Sequence, residues 1–272
     1  MKRIILLSII AVMLISITAC GDYKKSNEFV IESVTTDINN TPVEVITIEN
    51  TLYESDTFKI EIEQPANTHE IIKFGGYDWL VLDKRDDKAL ILSENVIEHR
   101  KFHETWSDIT WEDCDLRAYL NNDFYNGFND EDKTRIIETR VINNGNPWVD
   151  YISENNTDDY IFLLNIEEVV KYFGDSGQLI NKQPGNDVLK ENLGTIKGLS
   201  DNERYINDQY NSNRIAYDID GYTSWWYLRS PAFSIITAVV DNDGYIEIIG
   251  NSVNLNTDWG GVRPAVWVVL GF

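Results

Sequence analysis

Thiols are scarce in this chain: Cys20 and Cys114 are the two cysteines in 272 residues. Two cysteines cannot build a disulfide-rich scaffold or a four-thiolate zinc site. Positive charge is scarce too, with 23 Lys and Arg against 45 Asp and Glu, a formal net charge of −22. That excess of acid argues against nucleic acid as a partner, because affinity for it comes largely from neutralised phosphates. It equally disfavours electrostatic docking on anionic lipid. No phosphate-cradling loop, nucleophile–base pair or dense group of metal ligands emerges. What is present is 43% hydrophobic residues, enough for a packed core. Eight Trp and fourteen Tyr add an aromatic load typical of β-rich folds and binding modules.

The longest apolar run opens the chain. Lys2 and Arg3 precede Ile4 to Ile17, interrupted only by Ser8 and Ser16, and then comes Thr18-Ala19-Cys20-Gly21. A basic start, a short apolar stretch and small residues before a break describe a secretory signal. The run is short for a bilayer span, which needs about 20 apolar residues. A cysteine directly after the small residues resembles the bacterial lipobox. That resemblance implies cleavage before Cys20, fatty acylation of its thiol, and anchoring at the outer face of the cytoplasmic membrane, since each buried CH₂ contributes about 0.8 kcal/mol. The expected division is therefore a signal peptide over 1–19, a spacer over 20–68 and a main domain over 69–272. Short strand-like runs occur in the spacer at Phe29–Ile31, Val43–Ile48 and Phe58–Ile62.

In the main domain, Ile71–Leu82 reads as strand, turn, strand around Gly75-Gly76, with a third strand at Ala89–Leu92. Thr110 is expected to cap a helix whose apolar stripe is Leu116, Tyr119, Leu120 and Phe124. Asn129 starts a second helix, with Asp130, Glu131 and Asp132 in its first turn. Tyr160–Leu164 reads as an apolar strand. Asn165 caps a third helix that stops at Gly174. From Gly174 to Tyr222 the pattern fades into loops. Asp241-Asn242-Asp243-Gly244 marks a hairpin between Ile235–Val240 and Tyr245–Ile249, and Ala265–Leu270 is a closing strand.

Four motifs in order carry a resemblance: Phe74-Gly75-Gly76-Tyr77-Asp78-Trp79, Leu116-Arg117-Ala118-Tyr119-Leu120-Asn121, Trp226-Tyr227-Leu228-Arg229-Ser230-Pro231 and Gly261-Val262-Arg263-Pro264-Ala265. Together they resemble a family of surface proteins of Gram-positive bacteria whose domain is C-type-lectin-like, in the branch of the formylglycine-generating enzymes. The resemblance covers about three quarters of the chain. It implies an α+β fold of twisted, mostly antiparallel strands, flanking helices, long loops and terminal strands that pair. It implies no activity. The enzyme branch works through a cysteine pair, and only Cys114 is offered here, on an apolar-striped helix where a small buried packing role is expected.

Other chemistry is weakly marked. Gly174-Asp175-Ser176-Gly177 matches the nucleophile tetrapeptide of trypsin-like proteases, but His69, His99 and His103 lack the setting of a base. His99 and His103 would suit zinc only on a helix, and Arg100 and Lys101 between them oppose it. Asp241-Asn242-Asp243-Gly244 opens like a calcium loop, yet Ser252 stands where a bidentate Glu is required. No cofactor is expected, with loop calcium of the lectin kind as the remaining alternative. The candidate ligand-binding residues are Trp225, Trp226, Arg229, Asn254, Asp258, Trp259 and Arg263. Adjacent Trp225 and Trp226 point to opposite faces of a strand, one into the core. Arg229 and Arg263 stand out among so few basic residues. They serve either as ligand contacts or as buried arginine–carboxylate locks. The function expected is a lipid-anchored, non-catalytic module binding an extracellular glycan or protein. The alternatives are an envelope enzyme, such as a glycan hydrolase with two carboxylates, and a scaffolding protein.

Overall fold

Alternation of apolar and polar residues from Ile71 to Ser93 produces an antiparallel meander. Strands β1 (Ile71–Phe74), β2 (Tyr77–Arg85) and β3 (Lys88–Ser93) pair in sequence. Gly75 and Gly76 turn the first corner with φ of 57° and 87°, a region that side chains disfavour. The computed structural model describes residues 69–149, 155–182, 204–232, 235–254 and 260–270. The leader with Cys20, the spacer, its expected strands, and Asp258 and Trp259 lie outside these residues.

After β4 (Glu98–His99) the chain runs without regular structure to Cys114, which caps helix α1 (Asp115–Tyr119). The expected cap at Thr110 is not formed. Instead Trp111–Asp113 form a turn, and the Sγ of Cys114 accepts the N–H of Arg117 at 3.3 Å. The helix continues through a π-helical turn, Leu120–Phe124, and α2 (Tyr125–Gly127). Leu116, Leu120 and Phe124 of the expected stripe are buried. Asn129 caps α3 (Asp130–Arg135) as read from the sequence. Strands β5 (Thr139–Val141) and β6 (Thr157–Asp159) form a hairpin.

Tyr160–Leu164 is not a strand. Its side chains from Ile161 to Leu164 are all buried, so the run is apolar on every side. Its backbone finds single partners instead of a ladder. Phe162 exchanges two hydrogen bonds with Ala265, Ile161 O accepts from Asn121, and Leu164 O accepts from Arg229 N. Helix α4 (Ile166–Phe173) follows, with Asn165 and Glu168 bonded reciprocally as a capping box and Gly174 at its end.

Strand β7 (Tyr205–Ile206) and a hairpin of β8 (Ala216–Tyr217) and β9 (Thr223–Ser224) break up the stretch read as loop. Then come β10 (Trp226–Pro231), β11 (Ile236–Val240), β12 (Ile246–Ser252), β13 (Gly261–Val262) and β14 (Ala265–Val269). One sheet has the order β1-β2-β3-β14. The other has the order β4-β13-β10-β11-β12-β7. All pairs among the described strands are antiparallel except β10 with β13. The domain is α+β. The expected hairpin is present between β11 and β12, with Gly244 at φ 80° and a Cβ there only 1.9 Å from Asn211 O. The closing strand pairs with β3 along its whole length, from Ala265 opposite Leu92 to Val269 opposite Lys88. Its other edge meets the Ile136–Ile137 and Phe162 backbones. None of the described helices is long and apolar enough to cross a membrane.

Candidate functional site

Strand alternation places Arg85, Lys88, Leu90 and Trp267 on one face of the first sheet. Arg85 lies opposite Lys88, and Leu90 opposite Trp267. These residues floor a cleft of about 650 Å³. One wall is β5 with its flanks, carrying Glu138 and Arg140. The other is the outer face of α4, where Glu168, Lys171 and Tyr172 recur at helical spacing. Opposite faces of that helix are separated cleanly, because Ile166, Val169, Val170 and Phe173 are buried. Asp86 sits at the rim, at the apex of the β2–β3 turn with φ 55°, a conformation Asp tolerates better than most residues.

The cleft gathers aromatic and charged groups. Arg85 stacks on Trp267 with its guanidinium carbon 5.0 Å from the ring centroid and pairs with Asp83 at 2.9 Å. Arg140 pairs with Asp158 at 2.8 Å. Lys171 Nζ lies 4.4 Å from the Tyr172 ring centroid and donates to Tyr172 Oη at 3.0 Å.

Arg229, one of the residues expected from the sequence to contact a ligand or lock a carboxylate, lies directly behind this cleft. Its fork grips both oxygens of Glu168, and it donates to Leu163 O at 2.5 Å, Ile142 O at 3.2 Å and Asn143 Oδ1 at 3.0 Å. All five N–H donors are used. The side chain is buried, so Arg229 is the lock that joins α4, the Ile142–Asn143 segment after β5 and the 161–164 segment rather than a surface contact.

Arg263 is buried as well, but the carboxylate expected for it is absent among the described residues. It donates to the backbone carbonyls of Ser93 at 2.9 Å, Glu94 at 2.8 Å and Arg214 at 3.4 Å. Its guanidinium carbon lies 4.8 Å from the Trp226 ring centroid and 5.5 Å from that of Phe173. Burial pulls its pKa down to about 9, the Glu94 charge opposing the shift. Trp226 is fully buried and donates its indole N–H to Arg214 O. Trp225 is half-buried, edge-on to Tyr227 at 4.9 Å between centroids. The opposite facing of the two tryptophans is thus as expected, and Trp226 and Arg263 belong to the framework. Asn254 is half-buried and accepts from Ser252 Oγ. The structure does not bring the candidates Trp225, Trp226, Arg229, Asn254 and Arg263 together as one surface.

The catalytic motifs resolve into structural roles. Ser176 donates to Asp208 Oδ2 at 2.5 Å, and Asp208 pairs with buried Arg214. His69 has its two ring nitrogens 3.1 and 3.0 Å from the carbonyls of Val81 and Tyr172. His103 Nδ1 is 2.7 Å from Asp115 Oδ2, and His99 lies on β4, so the two do not share a helix. No group of three or more His, Cys, Asp or Glu is placed to hold a metal among the described residues. Asp241 Oδ1 accepts the N–H groups of Asp243 and Tyr245, each at 2.9 Å, which fixes the hairpin turn. Burial raises Asp241 above the usual carboxylate range. Burial also raises Glu247, with the Asp241 charge adding to it and Arg204 opposing. Both lie at the β11–β12 hairpin and not in the cleft. Cys114 is buried, and burial pushes its thiol pKa far up.

Sequence reading missed the cleft residues Arg85, Lys88, Arg140, Lys171, Tyr172 and Trp267. The alternation Val266-Trp267-Val268 carried one clue, since it sets Trp267 on the face opposite its buried neighbours.

Fold and cleft define an α+β domain with an aromatic, mixed-charge cavity backed by the Arg229–Glu168 pair. Residues 86–270 match the domain of unknown function DUF6273, and the chain belongs to that family. Comparison with curated proteins and with solved structures gives no match.

Proposed function

We propose that this protein is a lipoprotein anchored at Cys20 to the outer face of the bacterial membrane, whose C-type-lectin-like domain binds an extracellular saccharide without transforming it. The observation that carries the reading is the cleft. Trp267, partly buried and with Arg85 over its ring, offers the cleft's aromatic contact for a sugar, and Asp86, Glu138 and Arg140 stand around it as hydrogen-bonding groups. Behind it the Arg229–Glu168 lock fixes the wall, so little ordering is required on binding. The C-type-lectin-like assignment is supported by the opening meander, the joined closing strand and the loop-rich middle.

A glycan array probed with the full chain, with and without calcium, tests the reading. Binding that disappears in Trp267→Ala supports it. Hydrolysis of the bound glycan, or binding untouched by that substitution, overturns it. Calcium-dependent binding would restore the loop-calcium alternative. Mass spectrometry of the processed amino end checks the anchor, with acyl groups on Cys20 as the expected result.

A further inference from the structure

Basic side chains in this chain have about two acids each to choose from, yet two at the cleft form no ion pair among the described residues. Lys88, on the floor, makes none. Lys171, on the wall, is held by Tyr172 through its ring and hydroxyl. Arg85 and Arg140 are each answered by an Asp outside the lining, and Arg229 answers Glu168 from behind. Two ammonium groups without a carboxylate partner among the described residues therefore stand in the same cavity as the aromatic ring. Three acids line it: Glu168, answered by Arg229, and Asp86 and Glu138, which oppose a ligand with many negative charges.

From this pairing pattern we infer that the cleft selects an acidic saccharide: a sugar ring bearing one carboxylate or phosphate group. The ring packs against Trp267 beside Arg85, the anion is taken by Lys88 and Lys171, and hydroxyls donate to Asp86 and Glu138. The inference rests on the saccharide reading and adds the ligand's charge. Carboxylate and phosphate share the recognition chemistry, since an ammonium binds either as a point charge.

Glucose, glucuronic acid and glucose 6-phosphate form a matched series differing at one carbon. Titration calorimetry of the full chain in detergent micelles against each sugar is expected to show roughly tenfold or tighter binding of an acidic member than of glucose, about the worth of one charge-assisted hydrogen bond. The preference should fall in about 0.5 M salt, where screening is strong. Lys88→Gln and Lys171→Gln, both at exposed positions, should each remove most of the preference, with a much larger loss for the acidic sugar than for glucose. The better acidic sugar identifies the anion. Equal binding of all three sugars, or equal losses for all three in the Lys variants, overturns the inference and leaves the saccharide reading standing. Binding of none of them by the cleft, in an assay where the array is also blank, removes both.

Discussion

Two arginines, Arg229 within β10 and Arg263 in the connection from β13 to β14, are equally buried and held in opposite ways. Arg229, behind the cleft, meets a carboxylate and three further acceptors, and the three segments it touches are those that wall the cavity. Arg263, beside the Trp226 strand end, meets carbonyl oxygens and aromatic faces. The contrast separates two uses of a buried cation. Where a surface must hold its shape against a ligand, charge is matched by charge and the donors are exhausted. Where the interior only has to close, dipoles and π faces are enough, and the guanidinium keeps a lowered pKa as the mark of incomplete compensation.

Substitution at Arg229 is the sharpest way to break that contrast. Arg229→Leu leaves Glu168 half-buried without a counter-charge and orphans two carbonyls, which places the loss at about 3–5 kcal/mol. Denaturant unfolding checks it, and saccharide binding should vanish with it. Arg263→Leu also orphans carbonyls but relieves a charge with no carboxylate partner, so its loss should be smaller, about 1–3 kcal/mol. A larger loss at Arg263 than at Arg229 would sink the distinction. Glu168→Gln refines it further. The Arg229 fork then meets one neutral amide oxygen in place of a charged carboxylate, costing about 1–2 kcal/mol. Binding should weaken without being abolished.

The same contrast explains what could be read beforehand. Periodicity and caps are local, so the β1–β3 meander, Asn129, Asn165 and the Asp241–Gly244 hairpin were legible. The lock was legible as a kind of contact, because a buried guanidinium requires partners. Its partner was not, since Glu168 is 61 positions away from Arg229 and many other acids were available. Arg263 misled for the same reason, with backbone carbonyls leaving no trace in sequence. The Cys114 cap was hidden by Thr110, a better capping residue in isolation. The cleft was hidden because its residues come from β2, β3, β5, α4 and β14, and its floor is assembled only by the β2–β3 and β14–β3 registers. Trp225 and Trp226 drew attention by being adjacent in sequence, yet adjacency along a strand sends side chains to opposite sides.

Glu247 extends the comparison to a buried anion and gives the smallest expected effect. It lies on β12 opposite Val239, and its pKa is raised by burial and by Asp241, with Arg204 offsetting only part. A carboxyl whose folded pKa exceeds its unfolded value holds its proton more tightly in the native state. Its contribution to stability is therefore greatest below the unfolded value near 4.5 and declines as pH rises through the native value. Glu247→Gln removes that decline. The variant and the parent chain should be about equally stable near pH 4, and the variant more stable near pH 7, by less than about 1 kcal/mol because solvent screens a partly exposed group. Thermal melts at both pH values decide the matter. A variant less stable than the parent at neutral pH would mean that Arg204 compensates Glu247 as fully as Glu168 compensates Arg229, and that incomplete pairing is confined to Arg263.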